Sequence, residues 1–240
     1  MTLHRQLLTS KQTTIDIISE DAKAKEHFTN PANFADIVLT QINTDRFMDQ
    51  IFEGEEDLTV LDIGGNIGLF SLFAQDRCKA IYPVEPTPGH FHILKELTKD
   101  YPQIHPLNYA ASNEDTTIDF YINEENTTMN SLANEYGTKV AVQTRTIRSI
   151  IDELGLDHVD LIKCDIEGSE MVALTETTVG AVKDIVDCWF IEVHATEKST
   201  TSDEHYRLVT TNKKKLTDIF VGHGYEVQDI RYDSLFVSKV

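Results

Sequence analysis

The sequence predicts an α/β fold built on a doubly wound, mostly parallel sheet that ends in an antiparallel hairpin. Three observations lead to this fold class. Short apolar runs are continuous rather than alternating, which is typical of strands buried on both faces. Segments of helix length separate them, as in successive crossover units. Two further extended runs stand close together at the end of the 240-residue chain.

The parallel part of the sheet is predicted from five apolar runs and the helical segments between them. The strands are Thr59–Ile63, Ala80–Val84, Ile104–Tyr109, Val159–Cys164 and Ile185–Val193. The crossover helices are Ile67–Asp76, Pro88–Tyr101 and Ser169–Thr178. Apolar positions at helical spacing within these segments place one face of each helix on the sheet.

Two other parts of the chain break this alternation. Extended segments at Thr117–Ile122 and Val140–Ile147 flank a polar loop, Asn123–Gly137. Near the end, Tyr225–Ile230 and Ser234–Val240 predict the closing hairpin. We therefore expect an antiparallel edge on an otherwise parallel sheet.

The first 57 residues are predicted to form a helical extension to a single domain over residues 58–240. Ile15, Ile18 and Ala22 recur at helical spacing in this extension. Its helices are expected to pack on the core or to cover a site.

The composition excludes several classes of protein. With 40% apolar residues and no apolar stretch of membrane-spanning length, the chain is expected to fold as a globular protein without a membrane span. The formal charge of −19 opposes binding to nucleic acid and to anionic membranes. The oligomeric state stays open, with a homo-oligomer as one alternative.

The cysteines and the N-terminus favour a cytoplasmic location. Cys78, Cys164 and Cys188 are odd in number, widely spaced and set in apolar stretches, which suits thiols in a reducing compartment. Residues 1–8 run soon into polar sequence and offer no signal-peptide core.

A glycine-rich turn follows the first predicted strand and leads into a helix. It reads Asp62-Ile-Gly64-Gly65-Asn66-Ile-Gly68. Such a turn places backbone N–H groups at the carboxyl edge of the sheet, where open α/β folds bind ligands. Counted from Gly64, Asn66 and Leu69 occupy the second and third glycine positions of a dinucleotide fingerprint, which disfavours an NAD-dependent oxidoreductase. A phosphate-binding P-loop is also excluded.

Two acids beside this turn indicate the kind of ligand. Asp62 lies in the strand end and could pair with a ligand ammonium. Glu85, followed by Pro86, ends the second strand, where the ribose hydroxyls of an adenosine ligand would lie. An ammonium and a ribose diol together describe S-adenosyl-L-methionine better than NAD.

Five segments carry a resemblance to a known family. They are Val60–Phe70, Glu85-Pro86, Asn108–Ala110, Asp160–Glu170 with its Lys-x-Asp-x-Glu-Gly-x-Glu run, and Phe190–His194. Over roughly residues 58 to 195, their order and spacing resemble the FkbM family of S-adenosylmethionine-dependent methyltransferases. The resemblance implies the seven-stranded, Rossmann-like methyltransferase sheet with a reversed last strand. It also implies O-methylation of a hydroxyl on a sugar, glycan or small-molecule metabolite.

The resemblance also extends the set of cofactor residues. It places Asn108 and Ala110 near the adenine, and the loop within residues 123–131 near the active site. The full predicted cofactor set is Asp62, Gly64, Gly65, Asn66, Gly68, Glu85, Pro86, Asn108, Ala110 and Asp165.

The reaction requires a group that takes the proton of the acceptor hydroxyl. The ends of the fourth and fifth parallel strands carry the predicted catalytic residues, which are Lys163, Asp165, Glu167, Glu192 and His194. A histidine of ordinary pKa serves as a base at neutral pH, whereas a carboxylate does so only if its pKa is raised. The sequence leaves the choice of base open.

Several alternatives stay open at this edge. Asp165, Glu192 and His194 also offer ligands for Mg²⁺ or Mn²⁺, which would bind a vicinal diol. Lys163 either reaches the site carboxylates or forms a structural ion pair. Glu170 is expected to be structural, in the first turn of a helix.

Two further expectations concern the function of the chain and the surface of its predicted last helix. A non-catalytic adenosine-ligand-binding module is the alternative function, because a fold does not fix an activity. In the predicted last helix, the basic run Lys213–Lys215 is expected to form a solvated face.

Overall fold

A computed structural model describes residues 56–122, 138–196, 199 and 201–240. Nearly all of the predicted helical extension, at residues 1–55, lies outside the described residues. The predicted loop at 123–137, with the segment expected near the active site, lies outside them too.

The described chain alternates strands and helices. Its strands are β1 Leu58–Ile63, β2 Cys78–Val84, β3 Ala110–Ala111, β4 Thr117–Ile122, β5 Thr138–Arg145, β6 Val159–Cys164, β7 Val186–Glu192, β8 Tyr225–Arg231 and β9 Ser234–Lys239. Its α-helices are α1 Leu69–Ala74, α2 Pro88–Thr98, α3 Ile147–Leu154, α4 Glu170–Ala173, α5 Glu176–Val182 and α6 Ser202–Gly222.

Six strands form the main sheet in the order β2-β1-β6-β7-β9-β8. The first four are parallel, and β9 runs antiparallel to both β7 and β8. This arrangement confirms the predicted fold class, including the closing hairpin. The parallel strands bring their carboxyl ends to one edge, which is where the site is built.

The third predicted strand, Ile104–Tyr109, differs from expectation. It runs beside β2 in the seventh position but forms only two isolated bridges, at Ile81 and Val84. Proline at position 83 has no N–H to donate to the carbonyl of His105, so the parallel ladder is interrupted between the two bridges.

The remaining strands form a small sheet in the order β3-β5-β4, in which the two predicted extended segments form β4 and most of β5 and pair antiparallel. The predicted helix Ser169–Thr178 is two helices, α4 and α5, separated at Leu174. Thr175 caps the second helix, because its side chain accepts a hydrogen bond from the N–H of Thr178.

Apolar side chains cover both faces of the main sheet, which explains the continuous apolar runs in the sequence. On one face, Trp189 packs edge-on against Phe220, with 5.2 Å between ring centroids. Phe190, its neighbour on β7, belongs to the opposite cluster with Phe70. Within the described residues, no helix is both long and apolar enough to cross a bilayer.

Helix α6 corrects the expectation for the basic run. Lys213 is buried, and its Nζ lies 2.7 Å from Asp229 Oδ1 and donates to the Arg231 carbonyl at 2.6 Å. Its neighbour Lys214 is exposed and pairs with Asp218 one turn away. Only part of the run is therefore a solvated face, and Lys213 fastens α6 to β8.

Candidate active site

The predicted site residues converge at the carboxyl edge of β1, β2, β6 and β7. At this edge the glycine turn packs closely against the end of β6. The N–H groups of Gly64 and Gly65 both donate to the Val84 carbonyl at 3.0 Å. Gly64 has φ +83°, and a Cβ placed on it would lie 1.7 Å from the Asp165 carbonyl oxygen. No side chain larger than hydrogen fits there, so Gly64 lets the turn meet β6.

Asp62 and Lys163 form a buried ion pair beneath the turn. Asp62 is fully buried and accepts a hydrogen bond from Ser71 Oγ at 2.8 Å. Lys163 Nζ lies 3.4 Å from both Asp62 Oδ1 and Asp165 Oδ2, and it donates to the Gly64 carbonyl at 3.2 Å. Both sequence interpretations of Lys163 therefore hold, since it reaches a site carboxylate and neutralises a buried acid.

Burial and charge act against each other in this pair. Burial raises the pKa of Asp62 above its ordinary value, and the Lys163 charge only partly offsets it. Burial lowers the pKa of Lys163, but the charges of Asp165 and Asp62 outweigh it and raise that pKa overall. The ammonium therefore stays charged at the edge of the site.

Glu85 lies where the sequence predicts a ribose-binding acid. It is buried, and its two oxygens accept hydrogen bonds from the N–H groups of Asn66 at 2.9 Å and Thr87 at 2.8 Å. Burial raises the pKa of Glu85 to about 7. The carboxylate thus ties the glycine turn to the loop after β2.

The other predicted cofactor residues flank Glu85. Asn108 Nδ2 donates to the Glu85 carbonyl at 2.7 Å and to the Pro86 carbonyl at 3.3 Å. Ala110 is buried in β3, where it pairs with Thr144 of β5. The structure therefore brings the segments after β2 and after the bridged Ile104–Leu107 segment together beside the glycine turn.

A histidine lies among three carboxylates after β6 and β7. His194 Nδ1 is 2.9 Å from Glu170 Oε1. Its Nε2 is 3.6 Å from Glu167 Oε2 and 3.9 Å from Asp165 Oδ1. The imidazole ring therefore bridges a buried acid on one side and two half-buried acids on the other.

Glu170 is the partner that the sequence did not assign to the site. Its side chain is fully buried, and Oε1 also accepts hydrogen bonds from the N–H groups of Ile166 at 3.1 Å and Gly168 at 3.2 Å. The sequence did indicate the position of Glu170, because a glutamate directly after Gly168 and Ser169 was expected in the first turn of a helix. In the structure Glu170 is the first residue of α4. Only the fold shows that His194, 24 residues later, meets it.

The pKa values in this cluster differ from the ordinary ones. Burial lowers the pKa of His194, but the hydrogen bond and charge of Glu170, with the charges of Asp165 and Glu167, raise it to about 10. Burial, then the charge of Asp165, raises the pKa of Glu167 to about 8 and that of Glu192 to about 7. At neutral pH, His194 is therefore an imidazolium and the proton acceptors are carboxylates.

The predicted metal set is only partly brought together. Asp165 and His194 lie with Glu167, each offering a ligand atom within 4.8 Å of the others, whereas Glu192 is not in this group of described residues. Glu192 instead lies 4.0 Å from Arg231 Nη2. The described residues therefore place Asp165 and His194 with Glu167 rather than with Glu192, and a metal site here stays a prediction.

Comparison with protein families gives a match over most of the chain. A model described as the methyltransferase FkbM domain matches residues 62–227. The AMB antimetabolite synthetase AmbE of Pseudomonas aeruginosa is 25% identical over 238 residues, covering 79% of this chain and 11% of that protein. The chain thus spans about a tenth of the length of this relative.

Solved structures with a similar arrangement include a fibrillarin and a SAM-dependent methyltransferase. Fibrillarin from Aeropyrum pernix, in complex with natively bound S-adenosyl-L-methionine, is 14% identical, with a TM-score of 0.45 over 78% of this chain and 67% of that one. A SAM-dependent methyltransferase from Aquifex aeolicus is 12% identical, with a TM-score of 0.47 over 80% and 86%.

Proposed function

The chain belongs to the FkbM methyltransferase family, and on that premise we propose that it is an O-methyltransferase acting on a hydroxyl of a sugar, glycan or small-molecule metabolite. The observation that carries this proposal is the acidic edge beside the glycine turn. There, Glu192, whose pKa is raised to about 7, interacts electrostatically with Asp165 and with the His194 imidazolium. Such a site can remove a proton from an alcohol while retaining a positive charge.

The residues present fit S-adenosylmethionine. Asp165, which pairs with Lys163 at the end of β6, offers a carboxylate for the cationic part of the ligand, and Glu85 after β2 offers one for the ribose hydroxyls. Asn66 Oδ1 is buried in the glycine turn and accepts no hydrogen bond from the described residues, which leaves an acceptor for a ligand donor. When bound, this cofactor supplies a methyl group on a positively charged sulfur. As the methyl group is transferred, the sulfur leaves as a neutral thioether.

We assign Glu192 as the base. Its pKa of about 7 gives a substantial carboxylate fraction at neutral pH together with useful basicity. Glu167, with a pKa of about 8, is more fully protonated there. Glu192 would take the hydroxyl proton as the oxygen's electron pair forms the new bond to carbon.

His194 would act as a fixed cation rather than as the base. Its Nδ1 is hydrogen-bonded to Glu170, and this contact orients the ring so that Nε2 faces Asp165 and Glu167. The imidazolium thus supplies, among these acids, the positive charge that a metal ion would bring. The proposed reaction therefore contains no metal step.

Cofactor binding gives the first test. In calorimetry, S-adenosylhomocysteine is expected to bind the wild-type protein, and Glu85→Gln is expected to weaken binding by about tenfold or more because the acceptor carboxylate is lost. Glu96→Gln, on the solvent side of α2, is the matched control and should bind as wild type. Absence of binding to the wild type, or equal binding by Glu85→Gln, would contradict the proposal.

The pH dependence of methyl transfer gives the second test. A radiolabelled screen over sugar, glycan and metabolite acceptors first identifies a substrate. The pH–rate profile should then be bell-shaped. The rate should rise through about pH 7 as Glu192 loses its proton and fall near pH 10 as His194 loses its proton. Glu192→Gln should remove the rising limb with most of the activity. Cofactor binding without any transfer would instead favour a non-catalytic binding module.

A further inference from the structure

An open groove lies at the end of the main sheet formed by β9 and β8, whereas Glu85 follows β2 at the other end. It runs between the start of α6 and the turn that joins β8 to β9, with a volume of about 690 Å³. Its walls include Ser202, Asp203, His205 and Tyr206 on the helix side and Tyr232 on the turn side. None of these residues has a part in the cofactor site described above.

The turn side of the groove is attached to the end of β7. The N–H of Val193 donates to the Asp233 carbonyl at 2.6 Å, and Arg231 Nη2 lies 4.0 Å from Glu192 Oε2. Burial, then the charges of Asp233 and Glu192, raises the pKa of the Tyr232 hydroxyl. The turn that lines the groove therefore contacts the strand end that carries Glu192, the carboxylate assigned as the base.

The helix side is held in place by the same strand end. Asn212 Nδ2, further along α6, donates to the His194 carbonyl at 2.9 Å. Thr201 caps α6 by accepting a hydrogen bond from the N–H of Glu204. Both walls are thus fastened to the segment that carries Glu192 and His194.

The lining has the chemistry of a site for a neutral polar ring. Tyr206 and Tyr232 are 57% and 58% exposed, so large aromatic surfaces face the solvent. An aromatic face stacks on an apolar ring face, while hydroxyl and carboxylate groups nearby bond to polar substituents. The described residues that line the groove include no lysine or arginine, and Asp203 adds a negative charge. An anionic ligand such as a phosphate ester is therefore disfavoured.

We propose that this groove is the acceptor subsite and that it binds a neutral sugar ring. The C–H face of the ring stacks on Tyr206 or Tyr232, and its hydroxyls bond to Asp203 and to the helix hydroxyls. One hydroxyl is presented to Glu192. This inference rests on the proposed methyltransferase function, since it defines the acceptor of that reaction.

Saturation-transfer NMR tests the groove without requiring activity. Methyl glycosides of neutral hexoses and deoxyhexoses are added at millimolar concentration to the full chain with S-adenosylhomocysteine. Saturation transfer from the protein to the ring C–H protons of the glycoside is expected in the wild type. It should fall at least about fivefold in Tyr206→Ala and Tyr232→Ala, a loss of about 1 kcal/mol by the affinity conversion. Tyr206→Phe and Tyr232→Phe should retain it.

Val221→Ala, at an exposed position near the other end of α6, is the matched control and should leave transfer unchanged. S-adenosylhomocysteine affinity should be the same in all variants. Absence of saturation transfer in the wild type, or its survival in both alanine variants, overturns the inference. If the cofactor still binds in that case, the proposed function stands. If the wild type does not bind the cofactor, the proposed function itself fails.

Discussion

Replacing Glu170 by glutamine is expected to lower the pKa of His194 from about 10 by at least about two units and to reduce methyl transfer by roughly a hundredfold. Burial already lowers the pKa of this imidazole, and Glu170 is the largest influence that opposes it. A glutamine keeps an oxygen for the N–H groups of Ile166 and Gly168 but carries no charge. The imidazolium then loses its stabilising partner while the local backbone keeps its bonds.

The His194 pKa is measured from its ring C–H resonances in an NMR titration of the wild type and the variant. Glu176→Gln is the matched control, because Glu176 also contacts a histidine, with 3.1 Å between its Oε2 and His223 Nε2, but is exposed and pairs with a different histidine from that of the site. The control should leave both the His194 titration and methyl transfer unchanged. A folded Glu170→Gln protein in which His194 still titrates near 10 would show that Glu170 does not hold the charge.

The same pair has a consequence for stability. Since the folded pKa of His194 lies above its ordinary 6.5, its stabilisation is fully present below about pH 6.5 and is lost as pH rises through about 10. Glu192 acts in the same direction at lower pH, between about 4.5 and 7, because its folded pKa is raised from 4.5 to about 7. The wild type should therefore lose stability between pH 6.5 and 10. Glu170→Gln should lose less over that interval.

The sequence was sufficient for the fold because the signals involved are local or periodic. Val159–Cys164 matches β6 residue for residue, since a strand buried on both faces leaves a continuous apolar run. Thr117–Ile122 matches β4 in the same way, although β4 is an edge strand in which apolar residues alternate with other residues. The glycine turn was equally visible, because a strand, a tight turn and a helix follow one another directly.

Side-chain partners at the site were harder to predict, because they join segments distant in the chain. Glu170 and His194 meet only after α4 folds back over the end of β7. The acid was expected to be structural, and the histidine was one of four candidate bases. Their contact raises the pKa of His194 to about 10, and for this reason the proposed mechanism assigns the base role to Glu192.

Gly64→Ala is expected to destabilise the protein by more than about 3 kcal/mol, through both backbone strain and a steric overlap. Gly64 has φ +83°, and its added Cβ would lie 1.7 Å from the Asp165 carbonyl oxygen and 2.8 Å from the Asp165 carbonyl carbon. Both near atoms belong to the backbone, so no side-chain rotation relieves the overlap. The turn or the end of β6 must move.

Substitutions at two other glycines distinguish the effect of backbone strain from that of the steric overlap. Gly155 has φ +63° but open space around its added Cβ, so Gly155→Ala should cost only the strain, about 1 kcal/mol. Gly89, in the first turn of α2, has open space and no positive φ. Gly89→Ala should therefore be neutral or stabilising by up to about 1 kcal/mol. Urea unfolding of the three variants measures the series.

The position of Gly64 also links this stability effect to cofactor binding. The Gly64 carbonyl accepts a hydrogen bond from Lys163 Nζ, which lies 3.4 Å from both Asp62 and Asp165. Movement of the turn would separate the ammonium from these acids, so any folded Gly64→Ala protein should bind S-adenosylhomocysteine at least about tenfold more weakly. Gly155→Ala should bind normally despite its strain. If Gly64→Ala were no more costly than Gly155→Ala, or bound the ligand as well, the close packing of the turn against β6 would not be what organises this edge of the sheet.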